Sequence, residues 1–401
     1  LPSPHAPMRS LAARCSLLAL ALSACRGTET PPAATTSGNA SRTASDLRPA
    51  IVATAESAMV ASASPFATEA GLAVLRQGGN AVDAAVAVAM TLAVTYPSAG
   101  NLGGGGFMVA RINGTNVALD FRETAPAAAT RDMYLDANGQ PTDRSVTGAL
   151  AAGVPGSVAG LYEAHKKYGT RPWRELLQTA ITLADSGFAI DSAFRDDDEG
   201  TAKRMALDST STALFLENGK FRPIGSLWRA PGLAAALRRI AERGRDGFYT
   251  GETADLIVAS MKSGGGIISK ADLASYQPAW RTPVEFGYRG HRVVSMPPVS
   301  SGGLTLALIL GIVEGKDLAS LGWRTPASIH VLAEAERRAF ARRNTLLGDP
   351  AFVKIPTASF LSRDTAAALR AEIGEKSSGS PPAPTPKEKK HTTHFSVVDA
   401  M

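Results

Sequence analysis

Between Lys376 and Lys390 the chain reads Lys-Ser-Ser-Gly-Ser-Pro-Pro-Ala-Pro-Thr-Pro-Lys-Glu-Lys-Lys, without one large apolar residue. Such a tract cannot bury enough surface to offset the entropy of ordering it, so it is expected to be mobile and solvated. Whatever packs must pack before it or rejoin from beyond it. The segment beyond it, His391-Thr-Thr-His-Phe-Ser-Val-Val398, has strand composition. Thr392, His394, Ser396 and Val398 share one face, and Thr393, Phe395 and Val397 the other. The chain therefore predicts a body, a disordered linker over 376–391 and a strand that begins abruptly. Because the sequence stops at Met401 within a strand-to-turn transition, a continuation of the chain is expected.

The opposite end is also set apart. Reading from Met8, Arg9 and Arg14 precede a mostly apolar run from Cys15 to Ala24 that closes on Leu22-Ser-Ala-Cys25. A basic start, about ten apolar residues and a small-residue ending describe a secretory signal over 1–25, too short to span a bilayer. The ending is similar to a bacterial lipobox, in which Cys25 carries the lipid; ordinary signal-peptidase cleavage leaves Cys25 incidental, and both stay open. Residues 26–48, rich in Thr, Ser, Ala and Pro, then form a flexible tether. The expected location is exported and periplasmic, with a membrane contact only through such a lipid.

The body covers 49–375. With 44% hydrophobic and 19% charged residues in 401, the chain has material for one large or two ordinary cores. Of the net charge of +6, two units lie in residues 1–30 and two in 376–401. The body is thus nearly neutral, with little electrostatic reason to bind nucleic acid. Both cysteines, Cys15 and Cys25, lie in the leader, which excludes disulfides and thiolate metal sites from the body.

Ser64-Pro65 and Gly78-Gly79 bracket a predicted helix over 65–77. Asn80 caps a second helix to about Val94, whose Ala84–Val94 stretch is apolar all round apart from Thr91. Being short, it predicts a buried core helix and not a membrane span. Further helices are predicted at 157–167, 174–186, 232–243, 252–263, 304–314, 327–345 and 358–372, with strands at 106–112, 116–121, 284–288 and 291–296. Helices dominate and strands come as hairpin-like pairs, which favours an α+β layered domain over a parallel doubly wound sheet.

Gly103-Gly-Gly-Gly106 lacks the Lys-Ser/Thr of a phosphate loop, and Met108 breaks the dinucleotide spacing, so close backbone approach is the better role. His391 and His394, three apart on a strand, face opposite sides with no acidic or thiolate partner nearby, which argues against a metal pair. No Gly-x-Ser-x-Gly elbow occurs. Arg122, ending a predicted strand in Phe121-Arg-Glu-Thr-Ala-Pro126, is either a surface arginine or a planar fork for a substrate carboxylate. Thr392 is either an ordinary strand residue or a nucleophile. An internal threonine hydroxyl needs a base, whereas a threonine at a chain start carries its own α-amine, with a pKa of about 7.7–8.0.

In combination, the chain resembles the precursor of bacterial γ-glutamyltransferases, members of the N-terminal-nucleophile hydrolase superfamily. The resemblance runs from about Met59 to Asp399 in eight ordered blocks: Met59-Val-Ala-Ser62, Gly78-Gly-Asn-Ala-Val-Asp-Ala-Ala85, Gly100-Asn-Leu-Gly-Gly-Gly-Gly-Phe107, Asp120-Phe-Arg-Glu-Thr-Ala-Pro126, Gly153-Val-Pro-Gly156, Met296-Pro-Pro-Val-Ser-Ser-Gly-Gly303, Leu347-Gly-Asp-Pro350 and Thr392-Thr-His-Phe-Ser-Val-Val-Asp399. It implies a four-layer αββα sandwich, here only partly present: the large subunit plus residues 392–401 of a small subunit. It further implies self-cleavage between His391 and Thr392, with Thr392 as nucleophile and Arg122 binding the α-carboxylate of the γ-glutamyl group. The implied partners are glutathione and other γ-glutamyl compounds, amino acid or peptide acceptors, and the chain's own small subunit; no cofactor or metal is implied. Such families usually have an acidic residue where Arg342 stands. Two alternatives stay open: a glutaryl or cephalosporin acylase on the same scaffold, and a non-enzymatic periplasmic lipoprotein that kept the fold.

Overall fold

The computed structural model describes residues 52–195, 199–379 and 392–400. The leader with Cys25, the tether over 26–48, and residues 380–391, which include His391, lie outside the described residues. From Ala55 onward the chain forms one unit. It opens with strand β1 (Met59–Ala61), helix α1 (Pro65–Arg76) and helix α2 (Ala81–Thr95). Ser64 and Pro65 start α1 as expected, but the Ser64 hydroxyl does not cap it. Instead Ser62 Oγ donates to the Ser64 carbonyl at 2.9 Å and pairs with Thr68 Oγ1 at 2.8 Å, leaving Ser64 Oγ enclosed and without a partner among the described residues.

Asn80 does cap α2. Its Oδ1 accepts from the Val82 and Asp83 N–H groups, each at 3.0 Å, and Asp83 Oδ2 accepts from the Asn80 N–H at 3.0 Å, a reciprocal capping box. The all-round apolarity of α2 follows from its neighbours. Val86, Ala87, Met90 and Val94 enter the largest core, Val88 and Leu92 a second one with Val60 and Ala67, and Val82 a third with Leu119 and Phe121. A helix packed on every side has no face to give to charge.

Strands β2 (Phe107–Ile112) and β3 (Thr115–Asp120) form a hairpin whose turn residues Asn113 and Gly114 both have positive φ, 49° and 78°, matching the twist of the flanking strands. Helices α3 (Ser157–Tyr168), α4 (Gln178–Ser186), α5 (Pro231–Arg243) and α6 (Gly251–Ser263) surround the largest core. The predicted helix at 174–186 is interrupted at Leu177, with a short turn at Trp173–Leu176 whose Trp173 indole donates to the Ile240 carbonyl at 2.9 Å. Strand β4 (Ala279–Arg281), too short to leave a sequence signal, adds to β3 and completes an antiparallel β2-β3-β4 sheet.

A separate core gathers the hairpin β5 (Val284–Tyr288) and β6 (His291–Ser295) with α7 (Gly302–Glu314), α8 (Pro326–Leu346) and α9 (Arg363–Ala371). The helix expected over 358–372 is split, because Ser362 Oγ accepts from the Thr365 N–H at 3.2 Å and starts α9 afresh after a turn at Thr357–Leu361. Last comes β7 (Ser396–Val398), antiparallel to β1 with Val60 opposite Val397. It is shorter than the predicted strand, since β1 offers three residues and the chain beyond Ala61 turns into α1. The architecture is α+β, and no sheet among the described residues is wider than three strands, so the layers of a sandwich are present only in part.

Candidate active site

The residues after β3 are enclosed by glycines from two directions. A Cβ on Gly105 would lie 2.6 Å from the Phe121 carbonyl oxygen, and one on Gly156 would lie 2.0 Å from it. Gly106 and Phe121 exchange backbone hydrogen bonds of 3.3 and 3.1 Å, and the Gly104 carbonyl accepts from Gly156 and Ser157 N–H at 2.7 and 2.9 Å, satisfying the first turn of α3. This is the close backbone approach expected of the glycine run, at Gly104, Gly105 and Gly106; Gly103 faces open space. Three of the eight sequence blocks thus fold onto one point, the peptide between Phe121 and Arg122.

Arg122 sits at that point with both of its backbone groups engaged. Its N–H donates to Asp120 Oδ1 at 3.1 Å, and its carbonyl accepts from the Tyr276 hydroxyl at 2.8 Å. Asp120 is itself held, with Oδ2 accepting from Arg281 Nε of β4 at 2.7 Å. The Arg122 side chain is exposed and makes no hydrogen bond or ion pair among the described residues. A fixed backbone carrying an uncommitted guanidinium is suited to a bidentate grip on a carboxylate. Burial, more than the neighbouring Tyr249 and carboxylates, pushes the Tyr276 phenol upward, so it stays a donor at every physiological pH.

Thr392 occupies a differently held segment. Exposure alternates along it: Thr392, His394, Ser396 and Val398 are exposed, and Thr393, Phe395 and Val397 are half-buried. Phe395 and Val397 pack against Val60, Ala67, Val88 and Leu92. Asp399 Oδ2 then accepts from the Ala81 N–H at 2.7 Å, so the segment ends on the first turn of α2, where the helix dipole favours a negative charge. Thr392 is therefore exposed at the head of a segment anchored at its far end. No hydrogen bond or ion pair joins Thr392 to Arg122; the two segments share α2, through Asp399 on Ala81 and through Phe121 beside Val82.

Sequence reasoning missed three groups here. Tyr276 lies 154 positions from Arg122, and nothing local marks it. Asp399 fell within a recognised block, but its role as a cap needed the fold. Thr393 Oγ1 is enclosed without a partner among the described residues. Arg342, unexplained by the sequence, donates to Ser359 Oγ at 2.7 Å and ties α8 to the turn at 357–361. His394 Nε2 lies 3.2 Å from Ser396 Oγ, and among the described residues no group of three His, Cys, Asp or Glu side chains stands together to hold a metal. No helix of the described residues is long and apolar enough to cross a membrane.

Residues 67–401 match the gamma-glutamyltranspeptidase family. The chain is 47% identical over 353 residues to the glutathione hydrolase proenzyme of Pseudomonas sp. (strain A14), covering 86% of this chain and 61% of that protein. It is similar to the crystal structure of Helicobacter pylori gamma-glutamyltranspeptidase, with a TM-score of 0.77 and 42% identity, covering 82% of this chain and 95% of that chain. It is also similar to the crystal structure of cephalosporin acylase from Bacillus halodurans, with a TM-score of 0.74 and 30% identity, covering 86% of this chain and 64% of that one. The chain spans 61% of the length of the curated relatives it matches from Pseudomonas sp. (strain A14) and Escherichia coli (strain K12). Because the family match takes in both the braced Arg122 loop and the Thr392 segment, the chain belongs to the gamma-glutamyltranspeptidase family.

Proposed function

We propose that this chain is the large-subunit part, with the first residues of the small subunit, of an exported, self-cleaving γ-glutamyltransferase. In the precursor, Thr392 Oγ attacks the His391 carbonyl carbon; the C–N bond breaks as the nitrogen takes up the hydroxyl proton, leaving an ester. Water then adds to the ester, giving a carboxylate on His391 and a free hydroxyl and α-amine on Thr392. In the mature protein that α-amine takes the Oγ proton while Oγ attacks the γ-glutamyl amide of glutathione or a related donor, and the amine product leaves with the proton. Water or an amino acid or peptide acceptor resolves the acyl-enzyme. Arg122 grips the donor α-carboxylate with two parallel hydrogen bonds and so orients the γ-carbonyl; its contribution is position, not chemistry. The protein supplies the nucleophile, its base and the carboxylate grip, and the water, donor and acceptor come from solution. The two halves of the cut chain remain partners, and the leader directs export to the periplasm, with Cys25 as the lipid attachment if the lipobox is used.

The observation that carries this proposal is the alternation over 392–399 in a chain of this family: inward residues seated in the core, Asp399 on α2, and Thr392 exposed at the head. The test is expression of the full-length protein, N-terminal sequencing of its small fragment and assay with γ-glutamyl-p-nitroanilide. A fragment beginning at Thr392 and release of p-nitroaniline are expected. An uncut chain that still turns over the donor would overturn the proposal. The similarity to a cephalosporin acylase supports a second activity, since a glutaryl group also offers Arg122 a carboxylate but lacks the α-amine. Faster cleavage of glutaryl-p-nitroanilide than of the γ-glutamyl compound would favour it.

A further inference from the structure

Arg122 can hold a carboxylate through two parallel bonds only if its guanidinium plane is aimed, and that aim starts at the backbone. The Arg122 peptide is pinned on the N–H side by Asp120 and on the carbonyl side by the Tyr276 hydroxyl. The phenol reaches this carbonyl only because position 156 is glycine; a Cβ there would lie 2.2 Å from the Tyr276 oxygen. Tyr276 is in turn immobilised. Its ring stacks on Tyr249 with centroids 5.9 Å apart and 9° between planes, and its own carbonyl accepts from Arg245 Nη2 at 2.9 Å. Arg245 also donates to the Ala274 carbonyl at 2.7 Å and lies over the Tyr249 ring at 4.8 Å.

We infer that Tyr276 is a positioning residue for donor recognition: its hydroxyl fixes the Arg122 peptide, so the guanidinium meets the donor carboxylate already oriented. The inference rests on the proposed role of Arg122. Tyr134 supplies an internal control, because its hydroxyl makes a comparable half-buried hydrogen bond, to the Leu150 carbonyl at 3.0 Å, without a hydrogen bond to Arg122 or Tyr276.

The test uses the full-length, self-cleaved protein and γ-glutamyl-p-nitroanilide. Tyr276→Phe removes one oxygen and keeps the stacked ring, so KM should rise about 5- to 20-fold while kcat stays within about twofold, the signature of lost orientation in binding. Tyr276→Phe and Tyr134→Phe should lower the melting temperature by similar amounts, and Tyr134→Phe should leave KM unchanged. In an Arg122→Lys background, the further change Tyr276→Phe should no longer raise KM, because the two residues act as one unit. An unchanged KM in Tyr276→Phe, an equal rise in Tyr134→Phe, or full additivity with Arg122→Lys would each overturn the inference. If Arg122→Lys itself binds the donor as well as the parent does, the carboxylate role of Arg122 falls, and the role of Tyr276 falls with it; that outcome is distinct from a failure of Tyr276 alone.

Discussion

The Arg122 loop and the Thr392 segment are held in opposite ways. Arg122 has its N–H on Asp120, its carbonyl on Tyr276 and two glycine segments against its preceding peptide, so its backbone is fixed on every side. Thr392 is exposed; its segment is fastened further along, by Phe395 and Val397 in the core and by Asp399 on α2. The difference matches what each group is proposed to do. A group that only orients substrate gains from a rigid frame before substrate arrives. A residue that must attack its own preceding peptide, and then serve with a new amine, needs its C-terminal side fixed and its N-terminal side able to rearrange.

The sharpest way to break this comparison is Thr392→Ala. Loss of the only hydroxyl proposed to act in both steps should abolish self-cleavage and lower turnover at least about 10³-fold, seen as an uncut band and absent p-nitroaniline release. Cleavage that persists would erase the distinction between the segments. Next in size is Arg122→Ala, which should leave self-cleavage intact and raise the donor KM about 10- to 100-fold, ~1.4–2.8 kcal/mol of binding. Slowed cleavage in this variant would show that the loop also serves the Thr392 segment. Smaller still is Asp399→Asn, which removes the negative charge from the first turn of α2 and should cost about 0.3–1 kcal/mol in thermal melting while slowing cleavage more than it changes KM.

The smallest effect lies outside both segments and serves as their control. Glu334 on α8 is almost fully buried and accepts from Ser377 Oγ at 3.3 Å, from Ser378 and from Arg338 Nη1 at 2.5 Å, so the first residues of the low-complexity tract are held. The Ser378 hydroxyl, and then Arg338, hold its carboxyl down to about 2 from an ordinary 4.5. Because the folded value is depressed, this contribution is complete above about pH 4.5 and is lost as the pH falls toward 2. Hydrogen exchange at residues 374–379, corrected for intrinsic rates, should rise over that window, and Glu334→Gln should flatten the rise. An equal response at Arg122 would mean that the regions are not independent.

Much of this molecule is written locally. The cap at Asn80, the apolarity of α2, the Asn113-Gly114 hairpin and the period-2 alternation after Thr392 each depend on residues within a few positions of one another, and the sequence carried them. Where it misled, a longer-range competitor won: Ser362 restarted a helix that periodicity ran straight through, and β1 was too short to extend the Thr392 strand to its predicted length. Thr392 and Arg122 could be singled out because their chemistry is a property of side-chain type and neighbours. What aims them could not. Tyr276 meets Arg122 across 154 positions and Asp399 meets Ala81 across 318, and hydrogen bonds between such distant groups exist only once the chain has folded, since nothing in the local sequence lowers the entropy of bringing them together.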